Sequence, residues 1–114
     1  MSEKVYIDIE TGLGRVRNNK KLYSRMLGLF LQSPDLEAFE NAVTAGDTAK
    51  AAEAAHAIKG VAGNLGLDAV FEDSNLLMGE LREGTLNEEL IATYRADLAE
   101  TRKQVEAALP TLQE

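Results

Sequence analysis

The sequence lacks cysteine entirely, and it has only two prolines and a single histidine among its 114 residues. Without cysteine, disulfides, thiolate metal sites and the Cys-x-x-Cys-His haem attachment pattern are excluded. No apolar run approaches the roughly 20 residues that a membrane-spanning helix needs. The segment from Met1 to Glu10 lacks the apolar region of a signal peptide. We therefore expect a cytoplasmic protein without a membrane segment.

Positive charge and nucleotide-binding motifs are scarce as well. The chain has 12 Lys and Arg against 19 Asp and Glu, a net charge of -7. A nucleic-acid-binding surface needs a basic face, so we expect no nucleic-acid partner. The glycines form neither GxGxxG nor a P-loop Gly-Lys-Ser/Thr motif, so no ATP site and no autonomous kinase activity are predicted. With one histidine and no cysteine, we expect neither a metal site nor a resident cofactor.

The residues that are abundant favour helices packed around a core. Apolar residues make up 45% of the chain, which excludes a disordered protein. Ala, Leu and Glu dominate and aromatic residues are few, as is typical of helices. At this length we expect one domain over residues 1–114.

Capping residues divide the chain into six predicted helices. Ser33 followed by Pro34 marks one start and Asp47 marks the next, whereas Gly66 marks an end. Pro110 is expected to halt the last helix. The predicted helices cover about 8–17, 19–32, 33–45, 47–65, 68–83 and 87–109. Because short links make sequential helices antiparallel neighbours, we predict an all-α fold: an up-down antiparallel four-helix bundle with additional short helices at its N-terminal side.

The segment around the histidine, AAEAAHAIKGVAGNLG from Ala51 to Gly66, gives its helix two different faces. At about 100° per residue, one face holds His56, Lys59, Gly60 and Gly63, and Ala52 lies within about 40° of His56. The opposite face is apolar and should face the core, with Ala54, Ile58, Val61, Ala62 and Leu65. His56 is therefore expected to be exposed.

Two glycines on the histidine face call for a reason, because glycine inside a helix costs about 1 kcal/mol relative to alanine. A partner that approaches the bare backbone would explain Gly60 and Gly63. Close packing against a neighbouring helix of the same chain is the alternative. Since this face is expected to be exposed, we favour the first explanation and assign Ala52, Gly60 and Gly63 to partner docking.

The chemistry of His56 and Lys59 suits transfer of a phosphoryl group. A neutral imidazole nitrogen can attack phosphorus, and the product is labile enough to pass the group on. Lys59 lies one turn away, so its ammonium can reach the same point and stabilise the negative charge of a phosphoryl group.

The segment HAIKGVAGNLG, from His56 to Gly66, resembles the signature of the histidine-phosphotransfer (HPt) family. That signature is a histidine, two residues, Lys-Gly, one residue, a small residue and a later glycine. The resemblance implies that His56 is phosphorylated, that Lys59 helps to hold the phosphoryl group, and that Gly60 gives a receiver domain access. Some members orient the histidine with a polar side chain on the next helix, for which Ser74 or Asn75 is a candidate here.

The resemblance also implies the partners. They would be a response-regulator receiver domain, which exchanges the phosphoryl group through its aspartate and supplies Mg2+, and a hybrid sensor histidine kinase. We expect a monomer, since one histidine face per bundle suffices. Glu53, one turn before His56, could act as an acidic partner of the histidine.

Two other functions remain open. One is a non-catalytic HPt-like module that docks to a receiver or kinase without carrying phosphate, although docking alone does not require the histidine. The other is a helical structural domain, which would leave the glycines on the exposed face unexplained.

Overall fold

The computed structural model describes residues 4–112, and all regular secondary structure within this range is helical. Six helices follow one another: α1 (Ile9–Arg15), α2 (Lys20–Leu31), α3 (Pro34–Ala45), α4 (Thr48–Leu65), α5 (Asp68–Arg82) and α6 (Glu88–Leu112). No helix of this described part is long and apolar enough to cross a membrane. The predicted all-helical bundle is therefore confirmed, whereas the up-down order of four helices stays a prediction.

Most helix boundaries are set by capping residues, including Asp47 and Gly66, which the sequence identifies. The side chains of Asp8, Asn19 and Asp47 each accept a hydrogen bond from the backbone N–H three residues on, at the starts of α1, α2 and α4. Such caps contribute about 1 kcal/mol each. Gly46 and Gly66 end α3 and α4 in the left-handed conformation, with φ of 71° and 76°. These ends agree with the predicted ones.

The predicted end of the last helix is wrong, because α6 continues through Pro110 to Leu112. A proline inside a helix removes the hydrogen bond from its own N–H and crowds the preceding turn. Here Pro110 lies in the final turn, so little helix follows it. The hydroxyl of Thr111 donates to the carbonyl of Ala108 at 2.7 Å, and Leu112 is buried in the core. Burial of Leu112 gives the last turn a reason to form.

Helix α4 is the centre of the bundle, since it packs against α1, α2, α3 and α5. Its buried face consists mainly of small residues: Ala51, Ala52, Ala54, Ala55, Ile58, Ala62 and Leu65. Val61, which was expected on this face, is 38% exposed. It lies at the open edge of a groove that the end of α2 and Pro34 also line. The helices next to Val61 therefore cover only part of its side chain.

Two carboxyl groups are buried between α5 and α6, on Asp73 (7% exposed) and Asp97 (4% exposed). The ammonium of Lys4 lies 3.1 Å from both carboxylate oxygens of Asp97. One oxygen of Asp73, Oδ2, is buried without a hydrogen-bond partner. Burial, followed by the close approach of the acidic Asp97, raises the pKa of Asp73 from 3.8 to about 7. A protonated Asp73 can donate to Asp97, which would satisfy the pair.

Candidate functional site

The single histidine of the chain lies on the open side of α4, nearly midway along the helix. His56 is exposed, whereas its neighbour Ala55 and Ile58, two residues further on at the opposite face, are buried. The predicted orientation of the helix, with the apolar stripe turned away from the histidine, is therefore confirmed. An exposed imidazole in the middle of a capped helix is held by a rigid backbone and is accessible to a partner.

The imidazole of His56 contacts one side chain of the next helix. Its Nδ1 atom lies 3.3 Å from the sulfur of Met78, which belongs to α5 and is 9% exposed. From the sequence alone, Met78 is one apolar residue among several in the helix that follows the histidine helix. The two residues lie at equal distances along the chain from Leu67, in the link between α4 and α5, so an antiparallel pairing of these helices brings them together.

Lys59 follows His56 by one turn and is half-buried. Its ammonium lies 5.8 Å from the centre of the Phe71 ring, a cation–π contact that keeps the side chain near the α5 side of the site. Lys59 lines a groove of about 360 Å³ together with Arg15 of α1 and Gly60. Arg15 is a second cation in this groove.

The two glycines on the histidine face have different surroundings. A methyl group on Gly60 would meet no atom within 4 Å, so the surface over this residue is open. A methyl group on Gly63 would lie 3.0 Å from Cδ1 and Cε1 of Phe71. The expectation that no packing within the chain explains these glycines is therefore wrong for Gly63, because α5 packs closely against it. It holds for Gly60.

Ala52 also differs from its predicted placement in an exposed docking face. It is only 6% exposed, because it lies at the bottom of a groove between α4 and the end of α5. That groove has a volume of about 590 Å³ and is lined in part by Glu53, His56, Leu81 and Arg82. Ala52 thus offers a partner little surface of its own, while His56 and Glu53 stand at the rim.

The comparison with family models decides the family. The model of the Hpt domain matches residues 25–113, which include α3 to α6 and most of α2. The chain belongs to the Hpt domain family. No curated protein and no solved structure matches the chain. Hpt domains carry out histidine phosphotransfer in phosphorelay signalling, and they interact with response-regulator receivers and kinases.

The polar residues considered for orienting the histidine of this Hpt domain do not make that contact. Ser74 is fully buried, and its hydroxyl donates to the carbonyls of Val70 at 2.5 Å and Phe71 at 3.2 Å, within its own helix. Asn75 is exposed on α5. Among the described residues 4–112, the side chain at hydrogen-bond distance from the ring of His56 is Met78.

Proposed function

We propose that this Hpt domain accepts a phosphoryl group on His56 from the aspartyl phosphate of a response-regulator receiver domain and donates it to another such aspartate. The observation that carries the proposal is the exposed imidazole of His56, held on a capped helix beside Lys59 and the open surface at Gly60. A hybrid sensor histidine kinase would supply the phosphoryl group through its receiver domain.

Each residue of the site has a specific role in this proposal. A neutral ring nitrogen of His56 attacks phosphorus and forms an N–P bond as the acyl phosphate P–O bond breaks, which returns the receiver's aspartate as a carboxylate. Lys59 stabilises the negative oxygens of the phosphoryl group. The bare backbone at Gly60 lets the receiver bring its aspartate within bonding distance of the ring.

The receiver supplies the rest of the machinery. We propose that Mg2+ is bound by the receiver and that this chain needs no cofactor of its own. We also propose that the protein acts as a monomer, because a single histidine face serves one receiver at a time. We propose the cytoplasm as its location.

Phosphoryl transfer to a His56→Gln variant tests the proposal. A receiver domain carrying labelled aspartyl phosphate is mixed with the wild type and with the variant, and the label on the chain is scored as acid-labile and base-stable. We expect label on the wild type and none on the variant, with equal free energies of unfolding because His56 is exposed. Label on the variant would contradict the role of His56.

The same experiment distinguishes a phosphoryl carrier from a docking module that binds a receiver without carrying phosphate. A wild type that binds the receiver but takes no label in the presence of Mg2+ would be a docking module. The intact arrangement of His56, Lys59 and Gly60 favours the carrier, because a docking surface has no use for a nucleophile.

A further inference from the structure

The thioether of Met78 faces a defined atom of the His56 ring. The sulfur lies 3.3 Å from Nδ1, within hydrogen-bond distance for sulfur. Met78 is 9% exposed, so its sulfur approaches the ring from the side of the bundle, whereas the ring itself is exposed. Nδ1 is therefore turned towards α5, and Nε2, on the other side of the ring, is the nitrogen left for a partner.

This contact selects one of the two neutral forms of the imidazole. A thioether sulfur accepts hydrogen bonds and has no hydrogen to donate. The contact is attractive only when Nδ1 carries the hydrogen, since two lone pairs at this distance would repel each other. A neutral imidazole carries one hydrogen, on either Nδ1 or Nε2. With the hydrogen on Nδ1, the lone pair is on Nε2.

We propose that Met78 is a positioning residue, whose sulfur accepts a hydrogen bond from Nδ1–H of His56 and thereby presents Nε2 as the nucleophile. The proposal rests on the phosphoryl transfer proposed for His56 and adds the side chain that holds the ring with Nε2 free. It also assigns to a thioether the orienting role for which Ser74 and Asn75 were candidates. Ser74 is unsuited to it, because it is fully buried and its hydroxyl is turned towards the carbonyls of Val70 and Phe71 within α5.

Phosphoryl transfer to Nε2 of His56 does not require the proton on Nδ1 to move. The Nε2 lone pair forms the N–P bond as the P–O bond to the receiver's aspartate breaks, and that aspartate leaves as a carboxylate. The hydrogen stays on Nδ1, so the phosphorylated ring carries a positive charge that the sulfur of Met78 faces. In the return step the N–P bond breaks, and the neutral ring keeps its hydrogen on Nδ1.

Nitrogen-15 NMR of the intact protein tests the assignment without any partner. The tautomer of His56 is read from the nitrogen chemical shifts, at a pH where the ring is neutral, in the wild type and in Met78→Leu and Met78→Gln. Leucine conserves the volume but has no acceptor, whereas the amide oxygen of glutamine is an acceptor on a chain of similar length. We expect the Nδ1–H form to predominate in the wild type and in Met78→Gln, and the Nε2–H form to rise in Met78→Leu.

Transfer kinetics give a second readout. A neutral hydrogen bond of this kind should change the rate of phosphoryl transfer by about two- to tenfold. We therefore expect Met78→Leu to be slower by that factor and Met78→Gln to recover the wild-type rate, with phosphate on Nε2 in the wild type. Equal thermal unfolding of the variants shows that a rate change does not come from loss of the fold.

The two proposals can fail separately. A wild type in which Nε2–H predominates, or an unchanged tautomer ratio in Met78→Leu, would overturn the role of Met78 even if His56 accepts phosphate. Phosphate found on Nδ1 of the wild type would also overturn it. A wild type that never takes a phosphoryl group would overturn the proposed function, and the NMR result would still decide whether Met78 fixes the ring.

Discussion

Two regions with glycines, one within α4 and one at its C-terminal end, lie one turn apart and have different surroundings. The open region consists of His56, Lys59 and Gly60, and the space above Gly60 is empty. The closed region consists of Gly63 and Gly66, which are packed beneath α5 and the start of α1. Glycine in the open region leaves room for another molecule, whereas glycine in the closed region leaves room for the chain itself. We therefore expect the proposed docking and the folding of the chain to respond to different substitutions.

Close backbone contacts explain why the closed region needs glycine. The N–H of Asp8 donates to the carbonyl of Gly66 at 2.7 Å, which ties the start of α1 to the end of α4. A methyl group on Gly66 would collide with the carbonyl oxygen of Asp8. The hydroxyl of Tyr23 donates to the carbonyl of Leu65 at 2.7 Å in the same place. These contacts leave no space for a side chain.

The largest effect is expected from Gly66→Ala. The left-handed φ of 76° and the collision with Asp8 act together, so we expect a loss of about 2–4 kcal/mol in the free energy of unfolding. Urea denaturation measures it. Gly46→Ala is the matched control, since Gly46 has a φ of 71° but open space around it, and it should lose only about 1–2 kcal/mol. Equal losses in the two variants would contradict the close contact with α1.

The second largest effect is expected at the buried pair of Asp73 and Asp97, which lies outside both regions. It concerns only the free energy of unfolding. Because the pKa of Asp73 is about 7 in the folded protein and 3.8 ordinarily, the folded state holds a proton that the unfolded state releases between these values. This stabilisation is complete below about pH 4 and is lost as the pH rises through 7. The free energy of unfolding of the wild type should therefore fall between pH 4 and pH 8. In Asp73→Asn this fall should be smaller by on the order of 2 kcal/mol.

Unfolding in urea at a series of pH values between 4 and 8 measures that slope. The asparagine amide can still donate to Asp97, so the variant should be folded. Receiver binding should be unaffected, because Asp73 is buried away from the open region. A slope identical to that of the wild type would show that Asp73 holds no proton in the folded state.

A matched pair of leucine substitutions tests the difference between the open and the closed region directly. Gly63→Leu should lose about 1–2 kcal/mol of unfolding free energy, because the ring of Phe71 lies 3.0 Å from the new Cβ. Gly60→Leu should keep its stability, since leucine is the better helix former, but should raise the Kd for a receiver domain at least about tenfold. Denaturation and binding titrations measure the two effects.

The results for Gly60→Leu and Gly63→Leu decide whether the two regions have different roles. If Gly60→Leu binds the receiver as tightly as the wild type, the open region is not the docking surface. If Gly63→Leu is as stable as Gly60→Leu, the distinction between the regions fails. Ala99→Leu, at an exposed position of α6, controls for added apolar surface and should change neither quantity.

The smallest effect is expected from Lys59→Ala. An exposed charge interaction changes free energies by up to about 1 kcal/mol, so the rate of phosphoryl transfer should fall by about two- to fivefold. The loss should shrink at high salt, because added ions screen the interaction. An unchanged rate at low salt would remove the electrostatic role of Lys59.

Local signals in the sequence predicted much of the fold. Capping residues such as Asp8 and Asp47 act on the next few residues, so their effect can be read from neighbouring positions. The exposure of His56 followed from helical periodicity, whereas the same periodicity placed Val61 and Ala52 on the wrong faces of α4. Pro110 misled the prediction, since burial of Leu112, two residues further on, outweighs a helix breaker in the last turn of α6.

Helical periodicity could not predict which side chains of different helices contact each other. His56 with Met78 and Gly63 with Phe71 are both equally spaced about Leu67. Pairing α4 against α5 in antiparallel register would have suggested these contacts, but the direction of each side chain depends on packing. Asp73 and Asp97 meet only because α5 and α6 pair across their own link, and nothing local distinguishes them from solvated acids.

A round trip of the phosphoryl group tests the central claim most directly. The wild-type chain is labelled by a phosphorylated receiver, purified, and mixed with fresh receiver domain and Mg2+. We predict that the label leaves His56 and arrives on the receiver's aspartate, and that the unlabelled chain can then be labelled again. A chain that never takes the label, or one that takes it and cannot return it, would contradict a carrier.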